Sequence, residues 1–304
     1  MHEGMTQISK SAWLSAIPAI FVLLWSTGFV GALYAMPYAH PFGFLSLRFI
    51  LCIILIGGYC VLTRAEWPRG EALWAALVTG ALIHGIYLGA VFWAIKHGFP
   101  SGFAGLVVGL QPVVTMLLAG LLLGERVSIR QTAGFAIGLL GVVMVFWPRL
   151  GGELGGDFIR NGLVVFVGVV AISLGTVMQK RFGGKGNLAA GTAVQYVGAL
   201  MLSGVIVLFF EPLEMEWTGS LIFALVWLVL VLSVGAIVLL MVMIRAGEVS
   251  RVASLFYLVP AVTAVLAYFL FGETLNLIQV GGIVVASAGV ALATMRRRPA
   301  PPPL

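Results

Sequence analysis

The chain has 304 residues, 61% of them apolar and only 9% charged, with a formal net charge of +6 and a mean hydropathy of +1.10. Soluble domains carry about 25% charged residues, so this composition excludes an ordinary soluble enzyme or binding domain and puts most of the chain in a bilayer. The basic surplus does not point to nucleic acid, because Lys and Arg fall in short loops between apolar runs.

Counted against the ~20 residues that a spanning helix needs, the apolar runs predict helices at 12–35, 41–62, 71–96, 101–123 and 128–147. After a Gly-rich joint at 150–156 come 158–182, 187–210, 217–244, 250–271 and 275–295. The first run is too long for the apolar core of a signal peptide and lacks a small-residue cleavage site, so it is expected to stay on the protein. Cys52 and Cys60 share one apolar run, about 12 Å apart along a helix, and cannot bridge each other. The fold class expected is all-α integral membrane with ten transmembrane helices.

The chain also matches itself at an offset of 148 residues. Pro112 falls on Pro260, Gly124-Glu125 on Gly272-Glu273, Gln131 on Gln279, Gly134 on Gly282 and Gly141 on Gly289, among 12 identities in 33 positions. Shared hydrophobicity explains matches of Val, Leu and Ala, but not of Pro, Gly-Glu and Gln in register. The chain is therefore read as a duplicated unit, with repeats at 1–149 and 157–295 and a basic, Pro-rich tail at 296–304. Five helices per half is an odd number, so the second copy enters the membrane from the opposite face. Inverted repeats are the build of secondary transporters, with a substrate site near the midplane.

Ten helices put thirteen Lys and Arg on the side that holds both ends and three on the other, with Arg48 inside a helix. That bias orients both termini to the cytoplasm.

Leu110-Gln111-Pro112 through Gly124-Glu125-Arg126, its second copy Leu258-Val259-Pro260 through Gly272-Glu273, Leu47-Arg48-Phe49, and Trp25-Ser26-Thr27-Gly28 in the first helix resemble the EamA-type family of the drug/metabolite transporter superfamily. Amino-acid exporters of the YddG kind are among its members. The resemblance covers essentially the whole chain. It implies that helices 1–4 and 6–9 surround a central cavity, with helices 5 and 10 peripheral, and it does not specify a substrate.

Several residues carry two readings. Pro112 and Pro260 each lack an N–H and clash with the carbonyl four residues back, so they are expected to bend helices 4 and 9. They are matched hinges, or static kinks that improve packing. Glu125 and Glu273 follow glycines that end those helices and precede the next helix start; they make turns and caps, or salt bridges that latch a gate. Arg48 lies within helix 2, where a charge is a functional candidate by default; it ties helix-end carbonyls, or holds a substrate carboxylate. His84 and Tyr87 share a face of helix 3 at i, i+3 spacing, as packing residues or as cavity walls. With Trp25, Ser26, Gln111, Ser173, Thr176 and Tyr257 they outline a mostly apolar pocket with few polar anchors, which suits a small amphipathic solute.

What is missing narrows the function. No Asp or Glu lies in the middle of a helix, no phosphate-binding Gly-x-x-x-x-Gly-Lys-Ser/Thr loop occurs, and the four His form no zinc-protease pattern. The sequence is therefore read as neither an enzyme nor an ATP-driven pump, with no cofactor and no metal. It is expected to be a secondary transporter that exports amino acids, aromatic or neutral, or related small metabolites across a bacterial-type inner membrane by alternating access, with a small-molecule substrate and the lipid bilayer as partners, as a monomer or homodimer. An uptake carrier for sugars or other metabolites is the alternative, and a non-transporting receptor a weaker one.

Overall fold

The computed structural model describes residues 20, 22–125, 128–149, 155–182, 186–235, 238–239 and 259–294. Among these residues there are ten helical spans: α1 (Val22–Ala35), α2 (Pro41–Leu62), α3 (Glu71–Lys96), α4 (Ser101–Leu123), α5 (Ile129–Phe146), α6 (Gly155–Phe182), α7 (Leu188–Phe209), α8 (Gly219–Gly235), α9 (Val259–Phe271) and α10 (Leu277–Thr294). Six spans, α2 to α7, are both long and apolar enough to cross a membrane; α1, α8, α9 and α10 are shorter apolar segments within the described residues. The outward faces carry large apolar side chains such as Leu62, Leu121, Leu208 and Leu277, as expected where the solvent is lipid. Phe44, Phe49, Phe92, Phe99 and Phe103 are fully buried.

Residues that match at the 148-residue offset do the same local work in both halves. Gly124 and Gly272 close α4 and α9 in the left-handed conformation, at φ 69° and 68°, where a side chain is strained. Gln131 and Gln279 are reciprocal N-terminal caps. Gln131 accepts from the Ser128 amide and donates its own amide to the Ser128 hydroxyl, and Gln279 does the same with Asn276. Both arrangements satisfy amides that a helix start leaves open.

Matching helices also touch one another, running antiparallel. α5 crosses α10 with backbone against backbone: a Cβ on Gly134 would lie 2.6 Å from the Gly289 carbonyl oxygen, and one on Gly141 2.6 Å from that of Gly282. Gly138 sits between these contacts and faces the Ala286 carbonyl. α2 packs on α7 and α4 on α9, each starting where its partner ends. α1 meets α8 through Gly31 against Leu228 and through Trp227 Nε1–H donating to Thr27 Oγ1 at 2.9 Å, while α3 meets α6 at Gly168 and Gly175. Shifting every label by five reproduces the same neighbours, so the two halves are related by an approximate two-fold.

Small residues at the α5–α10 crossing let the backbones approach closely, and packing rather than exclusion of water holds them together, because the surrounding lipid is itself apolar. Gly141→Leu is therefore expected to lower stability by about 1–3 kcal/mol, the usual cost of overpacking, seen as a lower Tm in detergent. Leu140→Ala, on an outward face, is expected to stay within about 0.5 kcal/mol. Equal effects of the two changes would contradict the packing account.

Candidate functional site

Two of three departures from the regular α register, those in α3 and α8, border the interior cavity. α2, α3 and α8 contain wide π-helical turns at Ile53–Gly57, Ala81–Ile86 and Trp227–Gly235. Such turns shift the side chains that follow and gather at functional sites. His84 stands in the second and Ser233 in the third. The Ser233 hydroxyl donates to the Leu228 carbonyl five residues back at 3.0 Å, which closes the widened turn.

α4 is interrupted. Ser101–Val108 and Gln111–Leu123 are separate helical segments joined at Gly109-Leu110, with Pro112 in the first turn of the second. Gly109 and Leu110 keep right-handed helical dihedrals, so the two segments join through a local irregularity where the sequence reading expects a bend, and Pro112 sits where its missing N–H costs nothing. The Gln111 carbonyl accepts from Ser173 Oγ of α6 at 3.2 Å and from Thr115 Oγ1 at 2.8 Å. Ser173 is thus fully buried and steadies the break from outside the helix. Pro260 lies in α9, bordering residues that are not described.

Between α1, α2, α3, α4, α6, α7 and α8 lies a cavity of about 300 Å³, at the lower end of the usual range for small-molecule sites. Trp25, His84, Tyr87, Gln111, Thr176 and Arg48 all line it. Ser26 is fully buried, and its hydroxyl bonds the Val22 carbonyl of its own helix; like Ser173 it is not among the lining side chains. Tyr257 lies outside the described residues. The imidazole of His84 stacks on the Tyr196 ring at 4.6 Å between centroids, with Phe49 against both. Gln195, Thr192, Gln179 and Ser233 add polar groups, and Phe29 and Phe92 add apolar wall. Ser233 and Gln179 carry no sequence signal, because nothing in the local pattern predicts the wide turn at Ser233 or the packing that turns Gln179 inward. Tyr196 falls on Arg48 at the 148-residue offset, and both belong to this cavity.

Arg48 is 4% exposed. Its Nη2 donates to Ser233 Oγ at 3.1 Å, and its Nε has no partner among the described residues. The helix-end carbonyl tie considered from sequence is not among its described bonds. Among the described residues no carboxylate lines the cavity, and no group of His, Cys, Asp and Glu is arranged to hold a metal ion.

The two ends of the cavity differ. At one end, carboxylates from the second half cap helices of the first. Glu211, just past α7, accepts from the amides of Phe42 and Gly43 at 2.7 and 3.1 Å. Glu273, just past α9, accepts from the Ser101 amide at 3.0 Å, the Ser101 hydroxyl at 3.1 Å and the Gly102 amide at 3.2 Å. A backbone bridge between Ala39 and Met215 and a bond from the Glu216 amide to the Tyr38 carbonyl at 2.8 Å complete this seal. Glu273 therefore caps α4 of the other half, and the helix that follows it is capped by Asn276 instead. At the opposite end Glu125 pairs with Lys180 in an exposed position. There a second cavity, of about 480 Å³, is bounded by Glu66, Trp67, Lys180 and Asn187, and shares Gln179, Leu188 and Gln195 with the first.

Comparison with known proteins agrees with this build. The model of the EamA-like transporter family matches residues 12–147 and again 161–295. Among curated proteins, the chain is 25% identical to the uncharacterized transporter YvbV of Bacillus subtilis, over 97% of this chain and 95% of that one. It is 27% identical to the uncharacterized inner membrane transporter YedA of Escherichia coli K12, over 92% and 90%, and 25% identical to a probable amino-acid metabolite efflux pump of Salmonella typhimurium, over 89% and 91%. A solved crystal structure superimposes with a TM-score of 0.64 at 25% identity, over 93% of this chain and 96% of that one. With both halves matched by one family model, the chain belongs to the EamA-like transporter family.

Proposed function

We propose that this chain is a secondary carrier that exports amino acids, neutral and aromatic ones foremost, or related small metabolites across a bacterial-type inner membrane by alternating access. The observation that carries the reading is a cavity between two antiparallel halves that, among the described residues, is crossed by carboxylate caps at one end and adjoins a second cavity at the other. An approximate two-fold between halves gives one packing two mirror-related arrangements of similar energy, so the seal can pass from one face to the other. The distribution of Lys and Arg supports a cytoplasmic Lys180 end. The arrangement is then closed outside and open inside, the loading state of an exporter. The relatives described as an inner membrane transporter and as a probable amino-acid metabolite efflux pump support the location and the substrate class. On this reading the two repeats, 1–149 and 157–295, rock about the cavity, and the interrupted α4 and its counterpart α9 absorb the bending at Pro112 and Pro260.

Counterflow in liposomes tests the function. Purified protein preloaded with unlabelled amino acid is expected to accumulate labelled Phe, Met or Thr, equally with and without a pH gradient. Absence of counterflow with every amino acid would sink the substrate assignment.

The seal makes a separate prediction. Glu273 receives three bonds from a helix start, each worth about 1 kcal/mol or more to a charged acceptor, whereas the exposed Glu125–Lys180 pair is worth 0–1 kcal/mol. Glu273→Ala is expected to lower stability by about 1–3 kcal/mol and to slow counterflow at least tenfold. Glu125→Ala is expected to change counterflow less than twofold. Thermal unfolding and initial rates of counterflow check the pair, and a reversed order would contradict a gating role for Glu273.

A further inference from the structure

Among the described residues, the cavity is lined by a positive charge and no negative one. Arg48 is buried in its wall with one hydroxyl partner, Ser233, and an Nε–H that faces no acceptor among the described residues. The two ion pairs formed by described residues, Arg160–Asp157 and Lys180–Glu125, are both at the surface and do not involve Arg48. A guanidinium presents five N–H donors in a planar fork, and a cation removed from water without an anionic partner is costly. One hydroxyl does not satisfy that fork. A carboxylate does, through two parallel charge-assisted bonds.

The surroundings say what the carboxylate is attached to. The His84–Tyr196 stack, Tyr87, Trp25 and Phe29 present aromatic surface to the same space. Gln111 and Gln195 are neutral. An ammonium group entering the cavity meets no carboxylate among the described residues and meets the Arg48 charge. We propose that Arg48 receives the carboxylate of the transported solute, and that the site selects small organic acids with an apolar or aromatic body, for which an α-ammonium is dispensable. Amines without a carboxylate are rejected. This inference rests on reading the cavity as the transport site, and it narrows the substrate from metabolites in general to carboxylates.

The test uses the full-length protein purified in detergent, with ligand-induced thermal stabilisation as the readout. The probes are L-phenylalanine, 3-phenylpropionate, which lacks the ammonium, and phenethylamine, which lacks the carboxylate. Both carboxylates are expected to raise the Tm, and phenethylamine is not. Arg48→Gln is expected to weaken carboxylate binding at least tenfold. Arg48→Lys, which keeps the charge but not the fork, is expected to fall between it and the unsubstituted protein. Size-exclusion chromatography verifies that each variant is folded, and the three-probe comparison on the unsubstituted protein stands without them. Stabilisation by phenethylamine equal to that by the acids, unchanged carboxylate affinity in folded Arg48→Gln, or no stabilisation by any probe overturns the proposal. Carboxylate-selective binding without counterflow overturns the transport reading alone, and counterflow of amino acids that survives Arg48→Gln with unchanged KM overturns the Arg48 assignment alone.

Discussion

A backbone amide or carbonyl inside the hydrocarbon layer finds no water, so every place where a helix stops or widens must be satisfied by another part of the chain. The structure depends on how this is done. The break in α4 leaves the Gln111 carbonyl to Ser173 of α6 and to Thr115. The starts of α2 and α4 leave amides that Glu211 and Glu273 of the other half take up. The wide turn in α8 is closed by the Ser233 hydroxyl, which then accepts from Arg48. Thr115 and Ser233 act within their own helices, but Ser173, Glu211, Glu273 and the Arg48–Ser233 bond reach across from the other half, so local irregularities are also joints between the halves.

These joints are not distributed evenly. The bonds that cross between halves at helix starts gather at the end marked by Glu211 and Glu273, while the other end carries an exposed ion pair and a second cavity. The α5–α10 crossing, by contrast, is tight along its length through matched glycines, and neither helix lines the central cavity. A fixed crossing beside a cavity that is sealed at one end fits a carrier whose halves tilt about a shared spine. On the proposed cycle, the carboxylate caps are the bonds that must open, and they are polar contacts of a kind that water can replace.

Much of this was legible in the residues, and the reason is local. Gly124 with Gly272 and Gln131 with Gln279 match across the repeat because a left-handed helix end and a reciprocal cap need particular residue types wherever they occur. Of the residues that helix spacing and polarity in apolar runs single out for a cavity, Trp25, His84, Tyr87, Gln111 and Thr176 line it and Ser26 and Ser173 do not, while Arg48, read chiefly as a structural tie, lines it too. What was not legible depends on contacts distant in sequence. Gly134, Gly141, Gly282 and Gly289 stand out as repeated glycines, but nothing local says that they face one another. Glu273 precedes a helix start, and the local rule assigns it to that helix. Asn276 already fills that place, which leaves the carboxylate for α4. Ser233 reaches Arg48 only because a π-helical turn rotates it there.

The central claim is that the two ends of the cavity open in alternation. Pulsed electron-spin distance measurements test it directly, with Cys52 and Cys60 replaced and label pairs placed at Pro37 and Glu214 across the sealed end, and at Trp67 and Gly186 across the other. During the transport cycle, with substrate added to protein in liposomes, the account predicts that the first distance lengthens as the second shortens. Distances that stay fixed, or that change in the same sense at both ends, would contradict it.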